Sequence, residues 1–164
     1  KNPPMTYPHR SPSARAVAGR AFFSCLMLAG VLAGAVPAQA QEEGVLVSGP
    51  WMRFIMPSRP AAGYFTLSNH TAQPRTLVGA DSPACGRLML HRSLTNNGGD
   101  RMTMMQDIDV PAHGKVVFSP GGYHLMCVSP SAAMIPGHSV PVTLHFKDGG
   151  AVMASFPVRG VTGK

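Results

Sequence analysis

The sequence after Gln41 predicts an all-β domain, a sandwich or small barrel. Two observations carry this. Apolar residues nowhere recur with a convincing 3.6-residue period. Short apolar runs recur instead, each closed by Gly, Pro, Asn or Asp, and about nine such runs in one domain's length of chain indicate stacked or closed sheets.

Taken in order, residues 44–54 form the first run, ending before Met56-Pro57-Ser58-Arg59-Pro60. Residues 62–68 stop at Asn69, and residues 75–80 follow Pro74 and stop at Asp81-Ser82-Pro83. Residues 87–94 and 101–108 flank Thr95-Asn96-Asn97-Gly98-Gly99, a strong hairpin signal. Residues 115–118 lead into Ser119-Pro120-Gly121-Gly122, and residues 123–128 follow. Residues 140–146 and 151–158 flank Lys147-Asp148-Gly149-Gly150, a second hairpin. A turn at 131–134, broken by Pro136-Gly137, is the one helical candidate.

The first forty residues read differently. Residues 1–20 are polar and Pro-rich, with Arg10, Arg15 and Arg20 and no acid. Residues 21–36 are uncharged, and Pro37-Ala38-Gln39-Ala40 supplies a small-x-small ending. That order describes a secretory signal, cleaved after Ala40, ahead of a single domain at 41–164. A membrane anchor is the competing reading, because residues 21–40 barely reach the roughly 20 needed to span a bilayer. Either way the basic flank stays inside and the domain is exported, with membrane contact only through the leader. The chain does not open on Met, so Met5 or an upstream residue is the expected start.

Four of the 14 Lys and Arg fall in the leader and all 7 acids follow it, so the domain carries only +3. That is too weak and scattered for a nucleic-acid footprint. Cys25 goes with the leader, too early in the apolar run for a lipid-attachment cysteine. Cys85 and Cys127 remain. In an exported chain they are expected to form a disulfide, with two separate buried thiols as the alternative. Their separation excludes a C-x-x-C redox motif.

The chemistry rests on four residues: His91, Met102, His124 and Met126. Two imidazoles and two thioethers form a soft, uncharged donor set that suits Cu(I). Along a strand, i and i+2 share a face, so His124 and Met126 are neighbours while Leu125 and Cys127 point to the core. His91 and Met102 lie on the two arms of the 95–99 hairpin. A turn centred between Asn96 and Asn97 sets His91 across from Met102, whereas a turn at Asn97-Gly98 sets it across from Met104. The sequence leaves that open, and Met102 and Met104 share a face in both cases. Met89, Met134 and Met153 read as core packing, and Met52 and Met56 as either. His70, His113, His138 and His145 have no partner at ligand spacing and read as turn or surface residues.

The full spacing, H-x(10)-M-x(21)-H-x-M, is that of the periplasmic copper chaperones of the PCu(A)C family, which the chain resembles over nearly the whole domain. Trp51 before a short basic segment is similar to the family's early Trp. The stretch Ala61-Ala62-Gly63-Tyr64-Phe65-Thr66-Leu67-Ser68-Asn69 resembles its second-strand signature. Val110-Pro111-Ala112-His113-Gly114 and Pro120-Gly121-Gly122-Tyr123-His124-Leu125-Met126 resemble its most distinctive segments. Two departures stand out: Arg92 and Ser93 where many members carry Met, and Cys127 directly after Met126.

The resemblance implies a cupredoxin-like Greek-key fold, a periplasmic location and a role in copper homeostasis. It implies one Cu(I) per domain, held by His91, Met102, His124 and Met126. It also implies delivery of copper for cytochrome c oxidase assembly, to the oxidase's copper-site subunit, alone or with a Sco-type thiol protein. A monomer is expected. No nucleophile, paired carboxylates or phosphate loop accompanies the four residues, so no enzyme is expected. Two other readings compete. A blue-copper electron carrier needs a Cys thiolate ligand. An exported β-sandwich binding module would carry these His and Met incidentally.

Overall fold

A computed structural model describes residues 44–96 and 99–163. The leader, its expected cleavage after Ala40 and the Asn97-Gly98 turn lie outside the described residues. Ten strands form: β1 (Val45–Arg53), β2 (Ala61–Asn69), β3 (Arg75–Asp81), β4 (Cys85–Asn96), β5 (Gly99–Met104), β6 (Ile108–Val110), β7 (Lys115–Phe118), β8 (Tyr123–Pro130), β9 (Ser139–Phe146) and β10 (Ala151–Arg159). Among the described residues there is no helix, and the 131–134 candidate is a turn closed by Met134 N–H to Ser131 C=O at 3.0 Å.

The strands make one curled sheet in the order β5-β4-β8-β7-β2-β1-β10-β9-β3-β6. All neighbours are antiparallel except β1–β10 and β7–β8. β2 is shared lengthwise: Ala61, Ala62 and Gly63 pair with β8, while Phe65 to Ser68 pair with β7. The sheet folds over so that β3 packs against β4. The all-β, cupredoxin-like expectation therefore holds as a half-barrel.

Alternation explains which face closes. β9 buries Val140, Val142, Leu144 and Phe146 on one side, and β4 buries Leu88 and Leu90. β8 sends Leu125 and Cys127 inward. At the centre, Phe65 stacks on Phe118 with centroids 4.2 Å apart and meets Phe156 edge-on at 5.6 Å. Gly63 permits the close approach of β2 to β8, since a Cβ there would meet Leu125 Cβ at 3.2 Å and Met52 Cε at 3.4 Å.

The run at 101–108 is two strands rather than one. β5 pairs with β4, whereas β6 pairs with β3 on the other side of the fold, so the chain crosses over at 105–107. Local pattern could not reveal the break, because an apolar run looks the same whether or not it changes partner. Met134 is core as expected, and Met52 is fully buried while Met56 is exposed. Met153, expected in the core, is exposed: on β10 it alternates with the inward Val152. Met89, also expected in the core, is half-buried on the outer face, out of phase with Leu88 and Leu90.

Candidate metal centre

The outer face of β5, β4 and β8 gathers the candidate donor residues. The two strands pair antiparallel with His91 directly across from His124 and Met89 across from Met126. Their imidazole centroids lie 5.7 Å apart with planes tilted by 55°. The hairpin follows the second of the two registers left open: His91 faces Met104, and Ser93 faces Met102. Met102 is thus diagonal to His91, a distance a long flexible side chain spans. It lines one cleft of about 400 Å³ together with His124 and Met126. Met102 and Met104 are 63% and 59% exposed, so thioether sulfur is open to an approaching protein.

The bridge between Cys85 and Cys127 joins the two histidine-bearing strands on their inner side, with Cα atoms 5.4 Å apart. Cys127 consequently faces away from Met126 and offers no thiolate to the outer face. This removes the ligand that a blue-copper centre requires.

His124 is oriented by the turn before it. Ser119-Pro120-Gly121-Gly122 closes with Gly122 N–H to Ser119 C=O at 2.9 Å, and Gly121 takes φ +81°. The Gly122 carbonyl accepts Ser93 N–H at 3.0 Å and lies 3.2 Å from His124 Nδ1. With Nδ1–H donating to that carbonyl, Nε2 keeps its lone pair for a metal.

His91 is different. Both of its ring nitrogens are shielded from solvent and neither has a hydrogen-bond partner. Burial and the neighbouring His124 hold its pKa below the ordinary imidazole value of 6.5, so the ring is neutral at pH 7. A buried, unpaired, neutral imidazole is costly unless something binds it.

Among the described residues no three His, Cys, Asp or Glu side chains converge. On this face the two imidazoles stand beside thioether sulfur, a combination unlike the usual zinc sets and suited to a soft ion. The four expected residues share this face. Of the first departure, Arg92 points the other way, its guanidinium 5.1 Å from the Tyr123 ring centroid, while Ser93 lines the cleft. His113 sits in a turn at φ 52°, and His145 pairs with Asp81 far along β9. Sequence reasoning did not single out Arg53, Arg59 and Tyr64, which line the rest of the cleft. The basic segment after Trp51 was the signal for the arginines, and the second-strand signature contained Tyr64.

Comparison with known proteins identifies the family. The family model described as putative lipoprotein LpqE-like matches residues 45–158. The putative lipoprotein Lxx21020 of Leifsonia xyli subsp. xyli (strain CTCB07) is 32% identical over 124 residues, 75% of this chain and 74% of its own. Apo-DR1885 from Deinococcus radiodurans is 28% identical with a TM-score of 0.59, over 98% of this chain and 99% of that one. Its Cu(I) form is 29% identical with a TM-score of 0.52, over 77% and 81%. The copper-bound PCuAC domain from PmoF2, at 23% identity, shares the fold with a TM-score of 0.61 over 71% and 93%. The chain belongs to the LpqE-like family of PCuAC domains.

Proposed function

We propose that this chain is an exported Cu(I) carrier, binding one ion through His91, Met102, His124 and Met126 and passing it to a partner protein. The observation that carries the reading is the unpartnered pair of His91 ring nitrogens, set beside an oriented His124 and a cleft lined by Met102 and Met126. The family and the copper-bound relatives support copper as the cargo. Four neutral donors leave Cu(I) its full charge. The exposed Met102 sulfur gives an incoming ligand a place to attack without prior opening of the fold.

The leader and the lipoprotein description of the family support export, with the periplasm as the place of transfer. Delivery to the copper-site subunit of cytochrome c oxidase, alone or through a Sco-type thiol protein, with the chain acting as a monomer, is the use that the family resemblance favours. X-ray absorption on the Cu(I)-loaded chain tests the binding reading. Two sulfur and two nitrogen neighbours are expected, and no sulfur neighbour would end it. Transfer is tested by mixing the loaded chain with the apo copper domain of the oxidase. Copper retained by the chain at equilibrium would end the delivery reading.

A further inference from the structure

We propose that the cleft beside the donor residues is a receptor for an acidic side chain: Arg53 and Arg59 receive a Glu or Asp carboxylate presented by the protein that exchanges copper with this chain. The cleft is lined by candidate metal donors and by cations together. Met102, His124 and Met126 share the lining with Arg53, Arg59 and Tyr64, and no Asp or Glu is part of it. Among the described residues neither guanidinium has a carboxylate partner.

Arg53 is held in place. It projects from the end of β1, half-buried, with its guanidinium 5.7 Å from the Tyr64 ring centroid. Tyr64 is in turn packed against Trp51 at 4.8 Å. Burial raises the Tyr64 pKa, against the lowering effect of the Arg53 guanidinium that bonds its hydroxyl. A planar guanidinium matches a carboxylate with two parallel hydrogen bonds, and a pre-positioned one loses little freedom on doing so.

Charge and position identify the occupant. With a neutral donor set the loaded face stays positive, and the two arginines add to it, so the complementary group is an anion. The arginines and the exposed Met102 line the same cleft, so an acid held by the former lies beside the latter. An acid there fixes a partner's own copper ligands within exchange distance of the metal. The assignment rests on the carrier reading for its purpose, while its test needs no metal.

The metal-free chain is titrated at low salt with the peptide acetyl-Gly-Glu-Glu-Gly-amide, its Gln counterpart and succinate, followed by proton–nitrogen NMR. Shifts are expected at the Arg53 and Arg59 Nε–H and at the Ser93 amide, with the Gln peptide and succinate at least about fivefold weaker. R53Q/R59Q should weaken the Glu peptide by at least about tenfold and leave Cu(I) affinity within about twofold. R59Q alone, in an exposed loop, should weaken it by about threefold and serves if the double variant does not fold. No shift at the arginines, equal binding of the Gln peptide, or succinate binding as tightly as the Glu peptide each overturns the proposal. Wild-type chain that fails to hold Cu(I) would instead end the carrier reading.

Discussion

Replacing His91 by Leu should make the metal-free protein more stable while destroying its response to copper. In the metal-free protein one imidazole N–H and one ring lone pair lie out of water with nothing to bond. A buried polar group left unpaired costs about 1–3 kcal/mol, and an apolar side chain of similar width removes the cost. His91 is half-buried rather than fully enclosed, so the low end applies, a gain of about 1–2 kcal/mol. For a domain of this size that is a rise of roughly 3–8 °C in melting temperature. Urea unfolding followed through the single Trp51, which packs on Tyr64, measures it. With Cu(I) at 100 times its dissociation constant the wild type should gain about 2.7 kcal/mol and the variant almost nothing, so the order of stability inverts. A metal-free variant less stable than wild type by more than about 1 kcal/mol would refute the reasoning. So would a variant that keeps the copper-induced gain. Either result would mean that the His91 nitrogens serve the fold rather than a ligand.

Removing the bridge with C85A/C127A releases a loop of 42 residues. It should lower stability by about 4 kcal/mol on the chain-entropy account while leaving copper stoichiometry at one. Copper lost without a fall in the urea midpoint would make Cys127 a ligand. In a competition titration, M126A should weaken Cu(I) binding by more than about tenfold and M89A by less, because Met126 lines the cleft and Met89 does not. The same comparison places Met102 above Met104, and the opposite order would transfer the ligand role to the residue directly across from His91. The depressed His91 pKa sets the pH dependence. The unfolded chain takes up the proton first, so metal-free stability is fully present above pH 6.5 and falls as the pH drops from there through the folded value. Cu(I) affinity falls in the same direction as protons compete for the imidazoles. H91L should flatten the stability slope, and stability that rises on acidification to about pH 5 would contradict the assignment.

The strands were legible because alternation and turn residues are local properties. Val140, Val142, Leu144 and Phe146 declare an inner face without any knowledge of what they meet. His124 and Met126 declare a shared side in the same way, with Cys127 opposite. The split between β5 and β6 was not legible, because 101–108 changes its partner strand and not its pattern. Met89 and Met153 were misplaced because thioether side chains suit core and surface alike, so composition gave no phase.

The order of residues along the chain was enough to name an all-β domain, a candidate set of two imidazoles and two thioethers, and a cysteine pair able to bridge. Only tertiary structure decided that β4 lies beside β8, putting His91 across from His124, and that the hairpin register sets Met104 rather than Met102 across from His91. It alone brought Arg53 and Arg59 to the same cleft. The physical reason is that side-chain period is written within a strand. Pairing and register between distant strands depend on how all buried faces close together, and a shift of one residue there turns every side chain to the other side.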